Sequence, residues 1–345
     1  MRILEVLPTY PGQPFDGSAV YERNLNRALL TRGATVHVLT TTTARLLHTE
    51  AFYIRWPHEL PAHDEHEGVS IRRFRALDPG RLGHAASDAV LRRWSYEDYR
   101  EGAVSQGSAR FADAYVAQAR KRPTRIDAFA DIGRGPLVPG LLAHLRRVAS
   151  RFDVILAGYA PFSLGRQVLA AAAGTGVPVA LLPFIHEGDR YHLFRSLLET
   201  YQRAAAVLTL SRHTADFLDE YVPAARIAVL GAGVTVPSST RSAAEFRAAN
   251  DLGDAPLVLY VGRKEEGKRY EMLVEAIEKT AEPATLVIVG RDVDAKPVRS
   301  SRVRYLGPLP EDELHAAYEA CQVFALPSVL ELSLIHISEP TRQAE

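Results

Sequence analysis

The sequence predicts an α/β protein of two doubly wound parallel-sheet domains. Its 345 residues exceed the roughly 250–300 at which a single hydrophobic core stops growing. Short apolar runs alternate with helix-like stretches, as expected of parallel strands buried on both faces by crossover helices. The alternation comes in two sets, separated by a polar stretch, Val236 to Asp254, that contains PSSTRS.

In the first set, Arg2 to Leu7 reads as a strand and is followed by a Pro and Gly loop to Gly17. A helical pattern through Val20, Leu25, Ala28 and Leu29 comes next, with Gly33 as a stop signal and Ala34 to Leu39 as the second strand. Phe152 to Ala157, Val177 to Leu182 and Ala205 to Leu210 continue the set. The second set is Leu257 to Val261, Leu286 to Val289, Val303 to Leu306 and Val323 to Leu326. The expected domains are therefore 1–236 and 237–332. Residues 44–130 carry weak periodicity, apart from an amphipathic helix expected at Ala109 to Lys121.

Composition narrows the function classes. The chain is 47% hydrophobic and 24% charged, which suits a folded globular protein. Lys plus Arg and Asp plus Glu are 41 each, so no net field favours nucleic acid as a partner. A single cysteine, Cys321, excludes an internal disulfide and a Cys-rich zinc site, and it reads as core. The N-terminus lacks a signal-peptide pattern and no run is long and apolar enough to span a bilayer, which makes a cytoplasmic location the expectation.

The sharpest chemical signal follows Leu257 to Val261. That strand runs through Gly262 into Arg263, Lys264, Gly267 and Lys268, then into a helix-like segment from Tyr270. Cations and glycines at the carboxyl end of a parallel strand suit a diphosphate, although a solvated basic turn has the same composition. Pro310, Glu311, Asp312 and Glu313 read as a helix start, with acids at the positive end of the helix dipole. Gly17 precedes a helix and lets a phosphate or sugar approach the backbone.

The wording LVLYVGRKEEGKRYEMLVEAI, with ATLVIVGRD and VRYLGPLPEDELHAAYEACQVFALPSVLE, resembles glycosyltransferase group 1, a family of retaining nucleotide-sugar glycosyltransferases of the two-Rossmann-domain (GT-B) type. PTYPGQPFDGSAVYERNLNRALL, LLPFIHEGD, AAVLTLSRHTADFL and RIAVLGAGV resemble its first-domain signatures, with Asp16 and Gly17 where the family commonly has paired glycines. The resemblance implies two Rossmann-like domains facing a cleft. It assigns Arg263 and Lys268 to the donor diphosphate, His186 to the cleft beside the transferred sugar, and Gly17 to the opposite wall. Glu331 matches the first of two donor-site acids in the family.

Glu339 falls at the second acid's spacing, but the intervening LSLIHIS lacks the family's Phe-Gly. The run SLIHISEPTRQAE resembles a translated sequencing-adapter tract, so residues 333–345 are expected to be a non-native tail and the second domain to be incomplete. The implied partners are a nucleotide-diphosphate sugar and a glycan, lipid or small-molecule acceptor, with no metal and no cofactor. A non-catalytic sugar-nucleotide or partner-binding protein, or an inactive fragment, is the alternative reading.

Two weaker signals remain. His58, His63, Asp64 and His66 read as a solvated loop in preference to a metal site. Arg72, Arg73, Phe74, Arg75, Arg81, Arg92, Arg93 and Trp94 could touch anionic lipid, as a peripheral contact at the inner face of the membrane, or form a mixed-charge surface. A dinucleotide-binding G-x-G-x-x-G is absent from the first strand-to-helix loop, which disfavours a nicotinamide enzyme.

Overall fold

The computed structural model describes residues 1–11, 17–44, 47–48, 54–77, 85, 135–158, 162–185, 195–219, 222, 226–233, 241–264, 268–292 and 300–328. The chain divides into two compact units, Met1–Ala232 and Gly233–Glu345. The expected helix at Ala109 to Lys121 and the basic residues Arg81, Arg92, Arg93 and Trp94 lie outside the described residues.

In the first unit, β1 (Arg2–Val6) leads to α1 (Gly17–Thr31) and β2 (Thr35–Thr41). The stop between them works as expected: Gly33 takes a left-handed φ of 77° and Ala34 N–H donates back to Leu29 O at 3.0 Å. Next come β3 (Leu47–His48), β4 (Ile54–Arg55), β5 (His63–His66) and β6 (Val69–Phe74). They are followed by α2 (Pro139–Val148), β7 (Val154–Gly158), α3 (Leu164–Ala172), β8 (Val179–Leu182) and α4 (Arg195–Arg203). The unit closes with β9 (Ala206–Thr209), α5 (Arg212–Asp219) and β10 (Ile227–Val229).

Eight of these strands form one sheet in the order β10-β9-β8-β7-β1-β2-β6-β5. All neighbours are parallel except β5 and β6, which form an antiparallel hairpin. Strand order reverses direction between β1 and β7, so the crevice at their carboxyl ends is the topological switch point of the sheet. Side chains alternate across the sheet. Leu4 and Val6 join Leu141, Leu145, Leu164 and Val168 in one core, while Leu7, Val36 and Val38 pack with Leu29 and Leu30 of α1 in another.

The β5–β6 hairpin corrects the reading of His63, Asp64 and His66 as loop. Glu67 and Gly68 have φ of 50° and 80°, which closes a tight turn, and Val69 and Ile71 bury their side chains on alternate positions of β6. Arg73 is likewise no part of an exposed basic surface. Its guanidinium is 1% exposed and donates to Asp64 Oδ2 at 3.0 Å, Tyr10 O at 3.3 Å and Pro61 O at 3.2 Å.

The second unit contains α6 (Ala243–Ala249), β11 (Leu257–Val261), α7 (Tyr270–Lys279), β12 (Thr285–Val289), β13 (Val303–Leu306), α8 (Glu311–Ala320) and β14 (Val323–Phe324). Its parallel sheet has the order β13-β12-β11-β14, so chain direction reverses beside β11 and the switch point falls at that strand's carboxyl end. Leu257, Leu259 and Val261 pack with Phe246 and Ala316 on one face, and Tyr260 packs with Tyr270 and Val274 on the other. α8 starts where the sequence indicates, with Pro310 as the capping residue and Glu311, Asp312 and Glu313 in the first turn. Cys321 is half-buried against the core of this unit, and its thiol donates to Tyr318 O at 3.2 Å.

Candidate functional site

In the second unit, the candidate site begins at the carboxyl end of β11. Gly262 N–H donates to Val289 O at 2.9 Å and continues the β11–β12 pairing by one residue. Gly290, with a φ of 139°, lies so close that a Cβ there would sit 1.9 Å from Gly262 O. Only glycine fits this approach. Gly262 is constrained as well, because the Tyr260 ring folds back toward it and the Tyr260 hydroxyl donates to Arg263 O at 2.8 Å.

This clamp fixes the backbone that carries the exposed Arg263. Lys268 is half-buried at the far end of the same connection, two residues before α7. Residues 265–267 between them lie outside the described residues. α7 opens behind Arg269, which takes a left-handed φ of 49° and makes no side-chain cap. Arg263 and Lys268 thus flank one strand-to-helix connection at the switch point, where open α/β sheets take their ligands.

Lys264, the third cation of this segment, has a different role. It is 3% exposed, and its Nζ reaches Leu306 O at 3.1 Å and Asp292 Oδ1 at 2.6 Å, 5.9 Å from the Tyr305 ring centre. Its own N–H donates to Arg291 O at 2.9 Å. The ammonium therefore ties together the ends of β11, β12 and β13. It is a brace behind the site, although residue spacing alone groups it with Arg263.

The first unit places Gly17 as the first residue of α1, exposed, with nothing within 4 Å of the point where a Cβ would stand. Among the described residues, no contact demands glycine there. His186 follows the buried Phe184 and Ile185 at the end of β8 but lies itself outside the described residues. So do Glu331, Glu339 and the whole of 333–345.

The apolar pattern of α1 misses its most buried polar residues. Ala19, Tyr21, Glu22 and Asn26 are the buried positions, whereas Val20 and Leu25 are only half-buried. Glu22 faces Glu5 of β1, and both are 0% exposed. Asn26 Nδ2 donates to Glu5 Oε2 at 2.8 Å and to the Tyr10 hydroxyl at 3.2 Å. Burial pushes the Glu22 carboxyl well above its ordinary range, and the charge of Glu5 adds to this. Burial also raises Glu5, against the lowering effect of hydrogen bonds from Glu22 and Asn26. Tyr10 is pushed up to about 12, chiefly by burial. The available signal was Glu5 itself, a charged residue inside the apolar run RILEVL.

Residues 255–339 match the family model described as glycosyl transferases group 1. The matched segment lies wholly within the second unit. Solved structures share the GT-B architecture across both units. Anabaena HepE in complex with UDP and glucose has a TM-score of 0.56 at 14% identity, over 95% of this chain and 74% of that one. The lipopolysaccharide outer core galactosyltransferase WaaB has a TM-score of 0.53 at 12% identity, over 98% and 77%. The α,α-trehalose 6-phosphate synthase of Burkholderia multivorans has a TM-score of 0.53 at 13% identity, over 95% and 78%. No curated protein matches the chain.

The β11–α7 connection and its glycine clamp belong to this segment, as do Lys264, Tyr305 and α8. Among the described residues, no helix is long and apolar enough to cross a membrane.

Proposed function

We propose that this chain transfers a sugar from a nucleotide-diphosphate sugar to a hydroxyl acceptor with retention of anomeric configuration. One observation carries the reading: a glycosyltransferase group 1 domain presents Arg263 and Lys268 on the loop at the switch point of its sheet. The similarity to HepE, whose structure contains UDP and glucose, supports a nucleotide-sugar donor.

In the reaction, the bond from the anomeric carbon to the diphosphate breaks and a bond to the acceptor oxygen forms. The nucleoside diphosphate leaves, and the acceptor hydroxyl gives up its proton. Negative charge grows on the departing diphosphate, so cations held beside it stabilise the transition state more than the ground state. Arg263 and Lys268 perform this role, Arg263 with a planar fork suited to phosphate oxygens. Charge neutralisation by two side chains removes the need for a metal. Gly17 and His186 shape the acceptor side, and Glu331 borders the donor sugar. The acceptor is a glycan, lipid or small molecule, and transfer takes place in the cytoplasm.

The test is calorimetric titration of the full chain with UDP, GDP and ADP, repeated for Arg263→Ala and Lys268→Ala. A charge-assisted hydrogen bond is worth about 1.5–3 kcal/mol, so each variant is expected to bind the preferred diphosphate roughly 10–100-fold more weakly. Unchanged affinity in both variants would remove the diphosphate assignment.

A further inference from the structure

The buried acids of the first unit have no part in the transfer chemistry, yet they lie under its switch point. Glu5 is the penultimate residue of β1, the strand that leads toward Gly17, and Glu22 lies on α1, which Gly17 opens. Gly158 ends the neighbouring β7, and a Cβ there would meet Glu22 Oε1 at 3.3 Å. The cluster thus occupies the junction of β1, β7 and α1.

Two carboxyl groups at 0% exposure cannot both ionise in contact with each other, because burial and mutual repulsion both oppose the second charge. The donors decide which one is charged. Glu5 receives the Asn26 amide, whereas both oxygens of Glu22 lack a hydrogen-bond donor among the described residues. Glu22 is therefore the acid. Its hydroxyl proton is the group that can bridge to Glu5.

Among the described residues, no cation acts on Glu5 or Glu22 in place of that proton. Tyr10 reaches the cluster from the β1–α1 connection, Tyr21 from α1, and Glu67 acts on Tyr10 from the β5–β6 turn. His66 meets Tyr10 only through ring edges, with centroids 6.5 Å apart. Of the cations around the cluster, Arg73 pairs with Asp64, Arg27 pairs with Glu67, and Arg23 of α1 acts on Glu67.

We propose that Glu22 is a positioning residue that holds α1 on β1 through a single proton shared with Glu5, and that losing this proton loosens the helix that presents Gly17. The effect on transfer rests on the function proposed above. The latch itself does not.

The folded chain binds this proton more tightly than the unfolded chain does. Stability from the pair is therefore complete below the ordinary Glu value of 4.5 and declines as pH rises toward the raised folded value. A one-proton difference changes the unfolding equilibrium constant by about tenfold per pH unit.

Unfolding of the full chain and hydrogen exchange of peptide 17–31 should be measured between about pH 5 and 8, for the wild type, Glu22→Gln and Glu22→Ala. The amide of Glu22→Gln can still donate to Glu5 but cannot ionise. The expected result is a falling stability and a falling α1 protection factor, the intrinsic rise of exchange with pH divided out, in the wild type, both flattened in Glu22→Gln. Glu22→Ala should leave α1 loose throughout. Equal pH slopes in the wild type and Glu22→Gln would overturn the proposal.

Infrared spectroscopy gives a second reading that does not require a variant to fold. The wild type at neutral pH should show the C=O band of a protonated carboxyl, and its absence would overturn the proposal too. If transfer is measured, its rate should fall at alkaline pH in the wild type and hold in Glu22→Gln. A protein inactive at every pH would refute the transferase reading and leave the stability and infrared results to decide the latch.

Discussion

Gly290→Ala is the substitution whose consequence can be worked furthest from the structure. A Cβ at 290 would stand 1.9 Å from Gly262 O and 2.7 Å from Gly262 C. A carbon normally approaches a carbonyl oxygen no closer than about 3.3 Å, so the two strand ends would have to separate by roughly 1.4 Å. The hydrogen bond from Gly262 N–H to Val289 O, now 2.9 Å, cannot survive that movement, and Gly290 N–H loses its 3.3 Å contact with Leu306 O. Holding a side chain at a φ of 139° adds strain of its own. Backbone strain of about 1–3 kcal/mol and overpacking of about 1–3 kcal/mol place the total near 2–6 kcal/mol.

Hydrogen exchange can read this loss locally in the peptides of β11 and β12, with those of the first unit as an internal standard. The Arg263 backbone moves with Gly262, so nucleoside-diphosphate affinity should fall together with stability. Protection of β11 and β12 within about 0.5 kcal/mol of the wild type, the range of an innocuous surface change, would refute the close-approach argument.

Substitutions at two further residues test the support behind the site. Tyr260→Phe removes the hydroxyl that holds Arg263 O and is expected to lower stability by only about 1 kcal/mol; calorimetry should nevertheless show weaker diphosphate binding, because Arg263 loses its fixed origin. Arg247 donates to Gly253 O, Ala255 O, Ala320 O and Gln322 Oε1 at 2.8–3.1 Å. Arg247→Ala should destabilise the second unit by about 2–3 kcal/mol in urea unfolding, and Arg247→Lys should recover only part of that, since an ammonium cannot reproduce the fork.

Much of the fold was legible because the deciding signals are local. The strand at Leu257–Val261 is an apolar run that ends in glycine, and crossover geometry then puts Arg263 and Lys268 at its carboxyl end. The start of α8 is written in Pro310 and three acids, and the stop after α1 in Gly33. The hairpin at 63–74 was missed because His, Asp and Glu on β5 mask a strand that, among the described residues, pairs with β6 alone.

The chain's local chemistry thus determined its alternating layers and the cations of its candidate diphosphate site. Tertiary structure alone decided which charges those layers enclose. Lys264 is chemically as suited to phosphate as Arg263, yet Asp292 and Leu306 O close over it while Arg263 is exposed. Glu22 looks like a solvated helix position until α1 lands on Glu5 and Gly158. The physical reason is the same in both cases. A charge becomes a brace, a latch or a ligand contact according to what packs around it, and those neighbours come from distant parts of the chain.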